Sequence, residues 1–129
     1  MSEYPDWVED PEEGIVSEDV VGKFLYTSWG YNQTNVDFAH IIGITSSGKS
    51  VRVQIVGAEV ESRSTGQDNL KPTETPKFEE TVNLRVKCSN GNVRFRGSYP
   101  FADGDKRGPE SFFLFDKESV GQTSHGYRH

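Results

Sequence analysis

The chain has one cysteine, one methionine and no long apolar run in its 129 residues. A single cysteine, Cys88, excludes an internal disulfide framework and fits a reducing compartment. No stretch approaches the ~20 apolar residues of a membrane-spanning helix, so no membrane partner is expected. A helical apolar period is also lacking beyond a turn near Ser17 to Val21. Histidine is sparse: His125 and His129 stand four apart, but Gly126 disfavours the helix that would bring them together, and two ligands do not make a zinc site. Asp103-Gly104-Asp105 lacks the later ligands of a calcium loop and reads as a turn. No metal and no cofactor is expected. The acidic start, interrupted by Pro5 and Pro11, is unlike a signal or transit peptide, and a cytoplasmic location is expected.

Charge is unevenly spread. The net charge is −6, but residues 1–22 hold eight of the 20 acids and no Lys or Arg. The remaining 12 acids face 14 bases. A solvated, partly disordered acidic leader over 1–22 is expected, followed by a single β domain over 23–129. The sharper alternative lays the leader across a basic surface, or makes it a mimic of an anionic partner.

Period-two alternation fills the rest. Lys23 to Trp29 is aromatic-rich, and Val36 to Thr45 puts Val36, Phe38, His40 and Ile42 on one face. Ser50 to Val56 sets Val51, Val53 and Ile55 inward against Arg52 and Gln54 outward. Thr81 to Lys87 repeats this with Val82, Leu84 and Val86, continued inward by Cys88; Asn92 to Arg96 follows with Val93 and Phe95, and Ser111 to Phe115 reads as a closing strand. Asn90-Gly91 is a strong two-residue hairpin signal, since a type I′ turn needs positive φ at both positions. The segments Glu61 to Lys77 and Gly97 to Glu110, rich in turn residues, read as loops. The expectation is an all-β fold: a small SH3-like barrel or compact sandwich of about six antiparallel strands, with an acidic N-terminal extension.

Gly43-Ile44-Thr45-Ser46-Ser47-Gly48-Lys49-Ser50 satisfies the phosphate-loop pattern GxxxxGK[ST] at every specified position. That loop requires a helix directly after it, whose N-terminal amides hold the phosphates. Here the alternating, β-branched SVRVQIV follows, which opposes a helix. A β-hairpin is expected, and the chain is not expected to be an enzyme.

The two-residue turn at Asn90-Gly91 pairs Arg85 with Arg96 and Lys87 with Arg94 on the outward face, and Arg52 extends this stripe from another strand. Such a face suits nucleic-acid phosphates or an acidic host protein, unless Glu59, Glu79 or the leader neutralises it. Tyr26, Trp29, Tyr31 and Tyr99 are candidate platforms for stacking bases.

The segment from Tyr26 to Phe38 (YTSWGYNQTNVDF) resembles a signature of short, largely uncharacterised phage, prophage and plasmid proteins. In these an SSWGYxQTNVDFY-like stretch is followed by a GKSV-type hairpin, matched here by Gly48 to Val51, and by an aromatic-Asp and a Tyr ending, matched by Phe115-Asp116 and Gln122 to Tyr127. Ala39 departs from the pattern, and so does the acidic leader. The resemblance implies a mobile-element accessory protein and supplies no catalytic residues; a structural virion component is the alternative. Trp29, Tyr31, Gln33, Thr34, Asn35 and Asp37 then read either as a buried polar turn or as a recognition loop with an aromatic anchor.

Overall fold

A computed structural model describes residues 4–29, 35–64, 67–98, 110–116 and 120–123. Most of them lie in strands: β1 (Val8–Asp10), β2 (Ile15–Val16), β3 (Phe24–Trp29), β4 (Asn35–Ile44), β5 (Ser50–Ser64), β6 (Gln67–Ser89), β7 (Asn92–Gly97), β8 (Glu110–Leu114) and β9 (Val120–Thr123). One turn of 3-10 helix, Glu18–Val20, stands where the sequence shows its short helical pattern. Strands β1 and β2 form a separate hairpin. The others pair in the order β5-β4-β3-β8-β7-β6-β9, and β6 pairs again with β5. That second pairing closes β3 to β8 into a six-stranded antiparallel barrel, as expected, which has no free edge within the closed part.

Alternation decides what fills the barrel. Val51, Val53 and Ile55 of β5 meet Val82, Leu84 and Val86 of β6, with Leu25, Ala39, Ile41, Phe95 and Phe112 completing the core. Asn90 (φ 51°) and Gly91 (φ 82°) both take positive φ, so the β6–β7 turn has the twist that a tight hairpin requires.

Strand β4 has apolar residues at both parities, and the structure chooses between them. Val36, Phe38, His40 and Ile42 do share a face, but it is the outside of the barrel. Val36 and Phe38 pack there with Val56 and Leu70 in a second small core. His40 stacks on Phe24 with centroids 4.5 Å apart, and Ile42 is exposed.

The stretch expected as a loop from Glu61 to Lys77 is instead mostly strand. β5 and β6 run on past the barrel as a two-stranded arm, pairing Glu59 with Lys71 and Val60 with Leu70, and β9 adds to Gln67 to Leu70. The ladder is irregular between Gln54 and Ala58, whose partners on β6 skip from Thr81 to Pro76 to Pro72. Prolines donate no backbone hydrogen bond, so bulges gather where they stand.

The leader needs a correction. Trp7, Val16 and Val20 belong to the main core cluster, and Trp7 is only 8% exposed. The Val16 amide donates to the Gly48 carbonyl (2.8 Å) and the Gly22 amide to the Ile41 carbonyl (2.8 Å), tying the segment to β4 and its turn. Ser17 caps the 3-10 turn, its hydroxyl accepting from the Asp19 amide. The high acid content describes the outer side of residues 4–22; three apolar anchors hold the inner side.

Candidate functional site

The β6–β7 hairpin has the expected register, with Arg85 opposite Arg96, Lys87 opposite Arg94 and Ser89 opposite Asn92. All four basic side chains are exposed, as is Arg52. Arg52 pairs with Asn83 and its neighbour Ser50 with Arg85, so Arg52 lies diagonal to Arg85 on the same outer face. The guanidinium of Arg96 donates to the Ser111 hydroxyl through Nη1 at 2.9 Å, which holds it against β8.

Of the acids expected to neutralise this stripe, Glu59 and one acid of the leader are engaged elsewhere, and Glu79 is exposed and, among the described residues, makes no ion pair with it. Glu59 pairs with Lys71 (3.3 Å), and Glu13 of the leader pairs with Lys49 (3.5 Å). Among the described residues no ion pair involves Arg52, Arg85, Lys87, Arg94 or Arg96. Like charges facing each other across a ladder destabilise it by a few tenths of a kcal/mol, roughly, per pair. The arrangement is therefore unfavourable without an anion.

Strand β8 adds an aromatic border to the basic stripe. Phe112 pairs with Phe95 inside the barrel and Ser111 with Arg96 outside, so the same register carries Phe113 to the side of Arg94. Tyr26 pairs with Phe113 on the far side. The outer face thus runs Lys87, Arg94, Phe113, Tyr26 across four strands. Phe113 is 43% exposed, the only aromatic among the exposed large apolar residues described, and its ring lies 6.2 Å from that of Tyr26 at a tilt of 47°. This row borders an open groove of about 510 Å³, whose walls include Lys87, Arg94, Phe113, Asp116, Pro5 and Trp7. The leader supplies the last two, and the ring of Trp7 stacks on Phe95 with centroids 6.2 Å apart. Asp116 is the one acid among the described lining residues.

The other candidate stretch divides. Trp29 pairs with Asn35 as the last rung between β3 and β4. Tyr31, Gln33 and Thr34 lie outside the described residues, as do Tyr99, Asp103 to Asp105, His125, His129 and the side chains of Trp29 and Asn35. Asp37 is 9% exposed, and its carboxylate meets Lys77 Nζ at 3.5 Å in the irregular part of β6. It faces the protein and does not line the groove. Phe113 and the Trp7 wall are the functional candidates that sequence reasoning passed over.

The GxxxxGK[ST] match is a hairpin. The chain leaves β4 at Ile44 and enters antiparallel β5 at Ser50, with Ile44 opposite Val51. The Thr45 hydroxyl donates to the Ser50 carbonyl and accepts from the Ser50 amide, both at 3.2 Å. A strand follows the turn, so the stacked amides of a helix N-terminus are not there to hold phosphate. Cys88 is half-buried against the core; burial first, and the carboxylate of Asp10 second, push its thiol pKa up. The neutral thiol is a poor nucleophile. Among the described residues no group of three His, Cys, Asp or Glu side chains converges as a metal site. No helix among them is long and apolar enough to cross a membrane.

Compared with known proteins, the chain matches no family model, no curated protein and no solved structure.

Proposed function

We propose that this chain is a non-enzymatic binding module that engages nucleic acid through the outer face of β6 and β7. The observation that carries the reading is the pair of like-charged rungs, Arg85 with Arg96 and Lys87 with Arg94, which have no acid paired with them among the described residues. A polyanion converts that repulsion into attraction, because each neutralised phosphate also releases condensed counterions. The resemblance of Tyr26 to Phe38 to phage and plasmid proteins supports an accessory role for a mobile element, acting in the host cytoplasm. An acidic host protein is the competing partner. A virion role resting on the leader as a docking arm is less favoured, since Trp7, Val16 and Val20 are already buried in their own chain.

The test is fluorescence anisotropy with labelled DNA and RNA over a salt series. Binding should weaken linearly in log–log form with salt. The double variant Lys87→Gln/Arg94→Gln should reduce the slope by about 1 for each phosphate it no longer neutralises. Binding that ignores salt, or whose affinity and salt slope are unchanged by loss of both cations, refutes the reading.

A further inference from the structure

The basic stripe alone attracts any polyanion and is silent about its form. The residue beside it carries more information. Phe113 presents 43% of its surface to solvent on the row that holds Lys87 and Arg94, at the mouth of the groove. Its neighbour Phe112 has the same chemistry and is fully buried, so the core did not require the outward position to be aromatic. Part of an apolar ring is therefore left open next to two exposed cations.

We infer that the groove takes a single-stranded nucleic acid, with one base stacked on Phe113 and the flanking phosphates on Lys87 and Arg94. This rests on the reading of the basic face as a nucleic-acid surface. In a duplex the base faces are stacked on one another, so an exposed ring gains only edge contacts there, or must unstack a step at a cost. A single strand offers both parts, and successive phosphates lie close enough to span neighbouring strands of a sheet while the base turns onto the ring. Adjacent strands are about 4.8 Å apart, which puts a cation one strand and two strands from the aromatic position. Asp116, also on the groove wall, carries a negative charge that repels phosphate, whereas Lys87 and Arg94 attract it. An acidic peptide satisfies the cations, but covers Phe113 only where an aromatic or apolar residue happens to fall beside its acids, whereas every nucleotide of a single strand carries a base next to its phosphate.

The experiment uses the full chain and four fluorescent probes at low salt: a 12-nucleotide oligo-dT, an RNA of the same length, a blunt DNA duplex and a poly-glutamate peptide. The single strands should bind more tightly than the duplex, and the peptide most weakly. Phe113→Ala and Phe113→Leu should each weaken single-strand binding roughly five- to a hundredfold, as expected for losing one base–aromatic stack, and leave duplex binding unchanged. Phe113→Trp should retain it. The ring is partly covered by Tyr26, so circular dichroism of these variants should match the parent while thermal melting falls modestly, least in Phe113→Leu and Phe113→Trp. Single-strand affinity that is the same in Phe113→Leu as in the parent, while Lys87→Gln/Arg94→Gln lowers it, overturns the stacking site and leaves the basic-face reading standing. Salt-independent or undetectable binding of all nucleic-acid probes overturns that underlying reading, and preferential binding of poly-glutamate assigns the face to an acidic protein.

Discussion

Lys87 and Arg94 face each other across the β6–β7 ladder, both exposed, and the guanidinium and ammonium share one outward surface. Opposite charges at such a rung stabilise a hairpin, and like charges do the reverse. Arg94→Glu should therefore raise stability by about 0.2–1 kcal/mol, read as a higher urea midpoint at unchanged m-value. The same variant should lose nucleic-acid binding. A substitution that improves the fold while removing the ligand separates a functional surface from a structural one; equal loss of both would identify the pair as structural.

Trp7 is the anchor of the leader, stacked on Phe95 and nearly buried. Replacing a buried Trp by Ala costs about 3–5 kcal/mol, a large part of the ~5–15 kcal/mol that holds a domain of this size together. Trp7→Ala should lower the unfolding midpoint sharply. Glu12→Gln, at an exposed acid in the turn between β1 and β2, should change it by less than about 0.5 kcal/mol. A leader that merely trails in solvent would make both variants silent.

These two sites mark the boundary of what local pattern can reveal. The β6–β7 hairpin was legible because Asn90-Gly91 fixes the turn, and the turn fixes which basic residues face each other. Phe113 was not, because Ser111 to Phe115 carries aromatics at both parities. Only the pairing of Phe112 with Phe95, across some 16 residues of intervening chain, decides which ring goes outside. Val36, Phe38, Ala39 and Ile41 present the same ambiguity in β4, resolved by the β5–β6 arm that covers the outer pair. The arm itself looked like a loop because Pro72 and Pro76 interrupt its period, although the strands resume on either side. In the leader, eight acids outweigh three buried apolar residues in any compositional measure, whereas burial depends on neighbours distant in sequence.

Gly48 and Lys49 should behave oppositely to the expectation for a phosphate-binding loop. Gly48 has φ of 74°, and a Cβ there would stand 2.7 Å from the Val16 carbonyl oxygen. Gly48→Ala should cost about 1–3 kcal/mol through strain and a weakened hold on the leader. The ammonium of Lys49 makes only an exposed pair with Glu13, worth about 0–1 kcal/mol. Lys49→Ala should be nearly neutral in stability and leave any weak nucleotide affinity unchanged. Magnesium-dependent ATP or GTP binding that disappears in Lys49→Ala would overturn the hairpin reading.

Cys88 gives a pH dependence whose sign is set by the raised thiol pKa. The folded state favours the neutral thiol, so its contribution to stability is complete below the ordinary thiol value and is lost as pH rises through the folded value. Wild type should therefore lose more stability than Cys88→Ala between pH 8 and pH 10, roughly the span in which thiols titrate. Taking the difference between the two removes the tyrosines and lysines that ionise nearby in pH. Iodoacetamide should label native Cys88 more slowly than the urea-unfolded chain. Asp10→Asn should speed that labelling, since it removes the weaker of the two causes and leaves burial in place.

Asp37 and Lys77 form an asymmetric pair. The carboxylate is 9% exposed, whereas the lysine side chain is 40% exposed and can turn into water if its partner is removed. Losing the cation leaves a nearly buried negative charge without that compensation; losing the anion frees an ammonium that hydrates readily. Lys77→Met should therefore cost about 1–3 kcal/mol, and Asp37→Asn less, because the amide keeps the shape and part of the hydrogen-bonding capacity. The double variant should be more stable than Lys77→Met alone, the coupling appearing as a non-additive term in the cycle. Nucleic-acid affinity should be unaffected in all three, since the pair lies away from the groove. If Asp37→Asn instead leaves the urea midpoint unchanged but alters partner binding, the carboxylate belongs to a recognition loop and not to the scaffold.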